Sequence, residues 1–278
     1  MGVASVLGRL RWCAAGRFKL DEGIAMNPQV ALKLKQHAAW RAGQPDGIRL
    51  TWDSGMNLRG ADLAGADLRD ADLRDADLAG ANFSDANLAW ANLTGARLAG
   101  ANFSDANLAW ANLTGARLAG ANLAGAKLDD ADLTGARLGG TNLTGANLTG
   151  VLLDDADLAG VRLEGADLDG ARLVGAHLAG ANLANAHLTG AKLTGAHLAN
   201  ANLTGANLAR AHLASANLTG AHLASANLTG ADLTGADLTG ADLTGAELVW
   251  ANLANANLTG VNLTGANLTG VNLKEVLP

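Results

Sequence analysis

From Met56 to Glu275, apolar residues recur with a period of five and no interruption. The run divides into 44 units, such as Ala61-Asp62-Leu63-Ala64-Gly65 and Ala231-Asp232-Leu233-Thr234-Gly235. Leucine is central in 42 units; Phe83 and Phe103 take the other two. Alanine stands two residues earlier in 38, the exceptions being Met56, Thr141, Val151, Val161, Val261 and Val271. A five-residue period cannot make an amphipathic helix, because five steps of about 100° carry each leucine about 140° round the axis. Within a unit, alanine and leucine are two apart, which is the strand spacing for side chains on one face. From leucine to the next alanine is three, so the chain must turn a corner there. Glycine, Asp or Asn usually occupies that corner, where permissive backbone angles help.

The expected element is therefore a short strand and a corner, repeated, with alanine and leucine inward. If four corners close one turn, a coil holds four units. The 44 units then make about 11 coils, each rising ~4.8 Å, or roughly 50 Å in all. Segments 81–100 and 101–120, four units each, are identical, which supports that coil, although 211–220 also repeats as 221–230. Equivalent positions four units apart become vertical neighbours in such a stack.

This run resembles the pentapeptide-repeat family, whose signature is A(D/N)LXX. The resemblance covers positions 56–275 of the chain. It implies a right-handed, four-sided (quadrilateral) parallel β-helix, an all-β fold, with the central Leu/Phe and the preceding small residue inward.

Ahead of the repeat, residues 1–25 read as a flexible basic arm and 26–55 as an N-terminal cap. Asn27 suits an N-cap and Pro28 a first helical position. Val30, Leu32, Leu34, His37, Ala38 and Trp40 predict a helix to about Arg41 that stops at Gly43. A Gln44-Pro45-Asp46-Gly47 turn and an extended Ile48-Arg49-Leu50-Thr51-Trp52 follow. A stacked solenoid needs its first edge covered, and Trp40, Ile48, Leu50 and Trp52 are the residues expected over it. Residues 276–278 form a short tail. Val261, Val271, Leu273, Val276 and Leu277 then stand at an uncovered last coil, which predicts a C-terminal end-to-end homodimer.

Composition and charge narrow the function. Residues 1–55 hold eight Lys/Arg against four Asp/Glu (+4), and residues 56–278 hold 12 against 22 (−10), giving the net −6. An acidic body argues against direct nucleic-acid binding, since phosphate contacts need Lys and Arg. It fits a basic protein partner or plain solubility. Cys13 is the only cysteine, which leaves no disulfide and no thiolate metal cluster. No apolar run approaches a membrane span, and Arg9, Arg11, Arg17 and Lys19 interrupt any signal-peptide core. Cytoplasmic is the resulting expectation. No cofactor is implied, and no catalytic constellation is present: the Gly120–Gly125 spacing has Ala126 where a phosphate loop requires Lys. The protein reads as a non-enzyme.

What remains is the outward set. One column reads Asp77, Arg97, Arg117, Arg137, Asp157, His177, His197, Asn217, Asp237, Asn257. Its three arginines suit a carboxylate or phosphate group, although a solvated strip is the simpler reading. His177 and His197 stack without further ligands for a metal. Asp62, Asp67, Asp72 and Asp77, and later Asp232, Asp237, Asp242 and Glu247, ring two coils. Turn hydrogen bonding explains them sufficiently. Trp90, Trp110 and Trp250 share a corner column, and exposed tryptophan is enriched in binding hot spots. The leading expectation is a rigid protein–protein interaction scaffold. The alternative, implied by the resemblance, is a DNA mimic that binds DNA gyrase, as quinolone-resistance and toxin-immunity members do.

Overall fold

The computed structural model describes residues 11–13, 17–19, 28–51 and 58–276. Two short strands, β1 (Arg11–Cys13) and β2 (Arg17–Lys19), pair antiparallel within the segment expected to be a flexible arm. One helix, α1 (Pro28–Arg41), precedes the repeats. From residue 58 onward the repeats form the body.

Parallel bridges join each unit to the fourth unit after it, from Asp62↔Asn82 to Asn252↔Asn272. One pair of coils shows how the unit satisfies its backbone. The Leu63 N–H donates to the Asn82 C=O (2.7 Å) and the Gly65 N–H to the Ser84 C=O (2.8 Å) of the following coil. The Asn82 N–H donates back to the Ala61 C=O (2.8 Å). The Ala66 N–H closes the corner on the Leu63 C=O (3.1 Å). That leaves the fourth N–H of the unit, and the second residue takes it: the Ala64 N–H donates to Asp62 Oδ1 at 3.2 Å. Asp or Asn is therefore favoured at the second position because its side-chain oxygen completes the donor inventory of the turn.

The fifth residue of every unit has positive φ, between 52° and 71°, whether or not it is glycine. A corner closed by a Leu C=O to Ala N–H bond with positive φ only at its third residue is a type II turn. Four such turns separate Asp62 from its bridge partner Asn82, and the same holds at every rung, so the body is four-sided.

Alanine and leucine fill the interior. From Ala71 to Ala256 nearly every inward residue is 0–1% exposed. Phe83 and Phe103 stack in the core with centroids 4.7 Å apart. Thr141 replaces an alanine and is fully buried, but its Oγ1 donates to the Leu118 C=O at 3.0 Å. A buried hydroxyl is tolerated here because it is bonded. Asparagines on one face form a second ladder, Asn102 Nδ2 to Asn82 Oδ1 (3.1 Å) and Asn122 Nδ2 to Asn102 Oδ1 (3.0 Å).

The cap differs from expectation in its contact residues. α1 ends in a Schellman motif: Gln44 N–H donates to Ala39 C=O, Gly43 N–H to Trp40 C=O, and Gly43 has φ 68°. Val30, Ala31 and His37 are its buried residues, and Leu34 packs on the core. Ile48 is 57% exposed and does not cover the stack. Its N–H is committed to the Gln36 C=O (3.0 Å), so this stretch runs beside the helix and Ile48 faces solvent. Trp40 is half-buried and stacks on His37. Leu50 is buried and serves as the junction, its C=O accepting the Asp72 N–H (2.8 Å) and its N–H donating to His37 Nδ1 (3.0 Å). Arg41 pairs with Asp70, and the Arg49 Nε–H donates to the Asp70 C=O. Trp52 and the expected N-cap Asn27 lie outside the described residues.

Two outcomes are expected. Leu143→Ala, at a site with 0% exposure, should lower stability by about 2–5 kcal/mol in denaturant unfolding; an unchanged midpoint would remove Leu143 from the core. The second concerns pH. Burial lowers the His37 pKa from 6.5, opposed by the Asp67 carboxylate, while Arg41 adds to the lowering and Asp70 opposes it. A proton on Nδ1 would also displace the Leu50 N–H. The folded state thus prefers neutral His37, and the stability it contributes is complete above pH 6.5 and is lost as pH falls towards its folded pKa. Amide protection at Leu50 and Asp72 should fall between pH 7.5 and 5 in the wild type and stay flatter in His37→Gln. Equal protection across that range in the wild type would refute the coupling.

Candidate interaction surface

Each unit exposes its second, fourth and fifth residues, so the surface is a set of vertical columns. The fifth-residue column of one corner contains Asp70, Trp90, Trp110, Asp130 and, further along, Trp250. Trp90 is 58% exposed and Trp110 48%, and their rings stack at 5.1 Å with 6° between planes. Both occupy the left-handed region, at φ 64° and 61°. For a bulky L-residue that conformation costs about 1–2 kcal/mol, partly offset by about 0.5–1.5 kcal/mol from the ring pair. Glycine holds the same position in 28 units, so tryptophan here is not demanded by the turn. Trp250 is separate. It stands seven rungs from Trp110, about 34 Å away at ~4.8 Å per rung, and its ring lies over Gly270.

The arginine column lies elsewhere on the perimeter. Parallel bridges run Asp77↔Arg97, Arg97↔Arg117, Arg117↔Arg137 and Arg137↔Asp157, so the three guanidinium groups occupy successive rungs. All three residues are exposed, and none has an ion-pair or side-chain hydrogen-bond partner among the described residues. Several other arginines are engaged, such as Arg59 with Asp77 (3.0 Å), Arg74 with Asp72 (2.7 Å) and Arg172 with Asp154 (2.5 Å). The Arg97 face and the Trp90 corner are not adjacent, since a corner and a whole face separate them in one direction and two of each in the other. Tryptophans and arginines are thus two surfaces, not one site.

The histidine pair continues the arginine column, with His177 and His197 rings stacked at 4.8 Å. Among the described residues no group of three or more His, Cys, Asp or Glu is disposed to hold a metal. In both acidic rings the Asp carboxylates cap turns, whereas Glu247 accepts from Asn267 Nδ2 of the next coil (2.8 Å). Asp237 Oδ1 accepts from the Thr239 N–H (3.0 Å) and hydroxyl (2.6 Å), which keeps its pKa below the usual carboxylate range. Thr244 does the same to Asp242. Asp67 and Asp72 are lowered chiefly by hydrogen bonds from Arg69 and Arg74.

At the C-terminal end, Val261, Val271 and Val276 are partly buried against the core, whereas Leu268 and Leu273 are 37% and 51% exposed. Leu277 lies outside the described residues.

The body is thus a four-sided solenoid of stacked five-residue turns whose outward residues form vertical columns. The family model for pentapeptide repeats matches in 8 copies, with segments 54–88, 81–118, 111–150, 136–173, 171–208, 206–245 and 246–276. The chain belongs to the pentapeptide repeat family, and solved members imply that its quadrilateral β-helix is right-handed. It is similar to HetL, a pentapeptide repeat protein involved in heterocyst differentiation regulation in the cyanobacterium Nostoc sp. strain PCC 7120. That match has 32% identity and TM-score 0.62, over 90% of this chain and 98% of that one. QnrB1, a plasmid-mediated fluoroquinolone resistance protein, matches at 25% identity over 54% of this chain and 81% of its own, with TM-score 0.45. A thylakoid-lumen pentapeptide repeat protein of Arabidopsis thaliana matches at 34% identity over 35% and 68%, with TM-score 0.35. A comparison with curated proteins finds no match. Among the described residues, no helix is long and apolar enough to cross a membrane.

If the tryptophans serve binding and not the fold, Trp90→Gly and Trp110→Gly should each leave unfolding free energy within about 1 kcal/mol of wild type, strain relief offsetting the lost stack. A loss beyond about 3 kcal/mol in chemical denaturation would make them structural.

Proposed function

We propose that this protein is a non-enzymatic interaction scaffold: a rigid rod of about 11 coils (44 units, four per coil), ~50 Å long, that presents fixed columns of side chains to a protein partner. The observation that carries this reading is the stacked, exposed Trp90–Trp110 pair in a backbone conformation that glycine adopts without strain. Residues retained against local strain concentrate at functional positions, and tryptophan dominates interface energetics. HetL, similar over nearly its whole length, is involved in heterocyst differentiation regulation, which is consistent with a scaffold role. A cytoplasmic setting is part of the proposal.

The rod also supports a homodimer through its C-terminal coils. Leu268 and Leu273 are exposed there. No backbone hydrogen bond from the Leu263 or Leu268 N–H is made among the described residues. An apolar, unpaired edge is a template for a second copy. Light scattering at micromolar concentration should report twice the chain mass, and a monomer would refute this element.

A second reading, a DNA mimic acting on DNA gyrase, draws on the −10 balance of residues 56–278 (12 Lys/Arg against 22 Asp/Glu). The unpaired arginine column opposes it, so the scaffold is preferred. One set of experiments separates the two. The wild type should capture a partner whose binding, repeated with purified protein, drops at least tenfold in Trp90→Gly/Trp110→Gly while gyrase supercoiling is unaffected. Undiminished binding by the double variant would overturn the Trp-centred scaffold. Inhibition of supercoiling, or protection from a quinolone, would install the alternative.

A further inference from the structure

The arginine column has a property beyond its charge. In most units the fourth N–H is capped by the Asx oxygen of the second residue, as in Ala109 on Asn107 (3.0 Å), Thr114 on Asn112 (2.9 Å) and Thr134 on Asp132 (2.9 Å). Arg97, Arg117 and Arg137 replace that Asx. Among the described residues, the N–H groups of Ala99, Ala119 and Gly139 then have no acceptor. Three successive rungs each offer a guanidinium with no ion pair or hydrogen bond among the described residues, although the Arg97 charge is felt by Asp77, and, two residues further on, an uncapped N–H.

No bulky side chain stands over the Ala99 and Ala119 donors, whereas the Asp157 carboxylate lies beside Gly139, its Oδ2 4.0 Å from where a Cβ would stand. The fourth positions are Ala99, Ala119 and Gly139, and the corners beyond are Gly100, Gly120 and Gly140. The corners before the arginines are Gly95, Gly115 and Gly135. Asp77, itself held by Arg59, and Asp157 bound the three arginines on either side within the column. The patch is therefore three rungs tall, cationic and flat within an acidic rod.

We infer that this face binds an acidic α-helix of a partner protein, lying along the rod axis, with one carboxylate per rung taking both the guanidinium and the vacant N–H. A carboxylate accepts charge-assisted hydrogen bonds from a guanidinium fork, and a carboxyl or carboxamide oxygen is what caps the same N–H in neighbouring units. Spacing selects the helix. Two rungs span about 9.6 Å at ~4.8 Å each. Helix residues i and i+7 are about 10.5 Å apart along the axis at ~1.5 Å per residue, with i+3 between them. Strand residues i and i+4, on one face, are about 13 Å apart. The helix stays in register over all three rungs, and the strand loses it after one. A bare Ala/Gly floor admits a helix barrel, and the acidic remainder of the rod repels extended polyanions such as nucleic acid.

The test uses the full-length protein and two fluorescein-labelled alanine-based helical peptides of equal composition. One carries Glu at i, i+3 and i+7, and the other carries its three Glu on different helix faces. Anisotropy at low salt should give at least fivefold tighter binding of the first. Arg117→Ala should abolish that preference. Ala119→Pro should weaken the first peptide at least threefold, because it deletes one N–H at a turn position that accepts proline while keeping every arginine. Thermal melting confirms that each variant is folded. Equal binding of the two peptides, or wild-type binding by Arg117→Ala or by Ala119→Pro, would overturn the proposal. Trp90→Gly/Trp110→Gly should bind the peptide normally, so this outcome is independent of the Trp-centred reading; lost binding in that variant would also count against the proposal.

Discussion

The corner governs everything else in this molecule. A chain that must turn every five residues has one backbone solution here: the Leu C=O takes the N–H three residues on, and the fifth residue goes left-handed, as at Gly65 (φ 64°). That solution sends Ala and Leu inward and aligns each coil on the next, so the N–H and C=O groups of one rung meet those of its neighbours. Core, ladder and surface columns all follow from it. Leucine burial supplies the driving force, but it is the corner that makes leucine burial periodic. It also sets where strain can accumulate. Asp and Asn tolerate the left-handed region, as at Asp85 and Asn185, and glycine is free there. Tryptophan, arginine and glutamate at Trp90, Arg210 and Glu275 are not.

Most of this was legible in the sequence because the repeat leaves few alternatives. The two-then-three spacing of Ala and Leu gives the inward set, and bridges from each unit to the fourth unit after it agree with the four-cornered reading. The cap was less legible. Ile48 looked like a lid because it is apolar and extended, yet its backbone is tied to Gln36 and its side chain faces solvent. His37 does part of the work expected of Ile48. Spacing carried the signal, since Val30, Leu34 and His37 follow a four-then-three helical stripe that continues the apolar face. A polar member of such a stripe needs a partner, and the Leu50 N–H is that partner.

The surface was legible as columns but not as chemistry. Sequence put Trp90 beneath Trp110 and Arg97 beneath Arg117, and both stacks are present. Three things required coordinates. The tryptophans sit at strained φ values, the three arginines make no ion pair or side-chain hydrogen bond among the described residues, and replacing Asx by Arg uncaps a backbone donor. Each depends on hydrogen-bond geometry, which letter spacing does not encode. The Arg41–Asp70 pair, which joins cap to body, was invisible for the same reason.

The identical segments 81–100 and 101–120 connect these surfaces to the fold. Duplicating one coil generates the Trp90/Trp110 stack and the Arg97/Arg117 stack together, on different sides of the rod. In a globular domain such a duplication would disrupt a core; in a stack it adds a rung, because each coil contacts only its neighbours. The outward letters are then multiplied at constant pitch and identical orientation. A partner element whose repeat matches the rung spacing of ~4.8 Å can engage successive rungs. One with a longer repeat meets a single rung and gains nothing from the rest. Selectivity in this architecture therefore resides in pitch as much as in residue type, and pitch is the one property that substitution of outward letters cannot change.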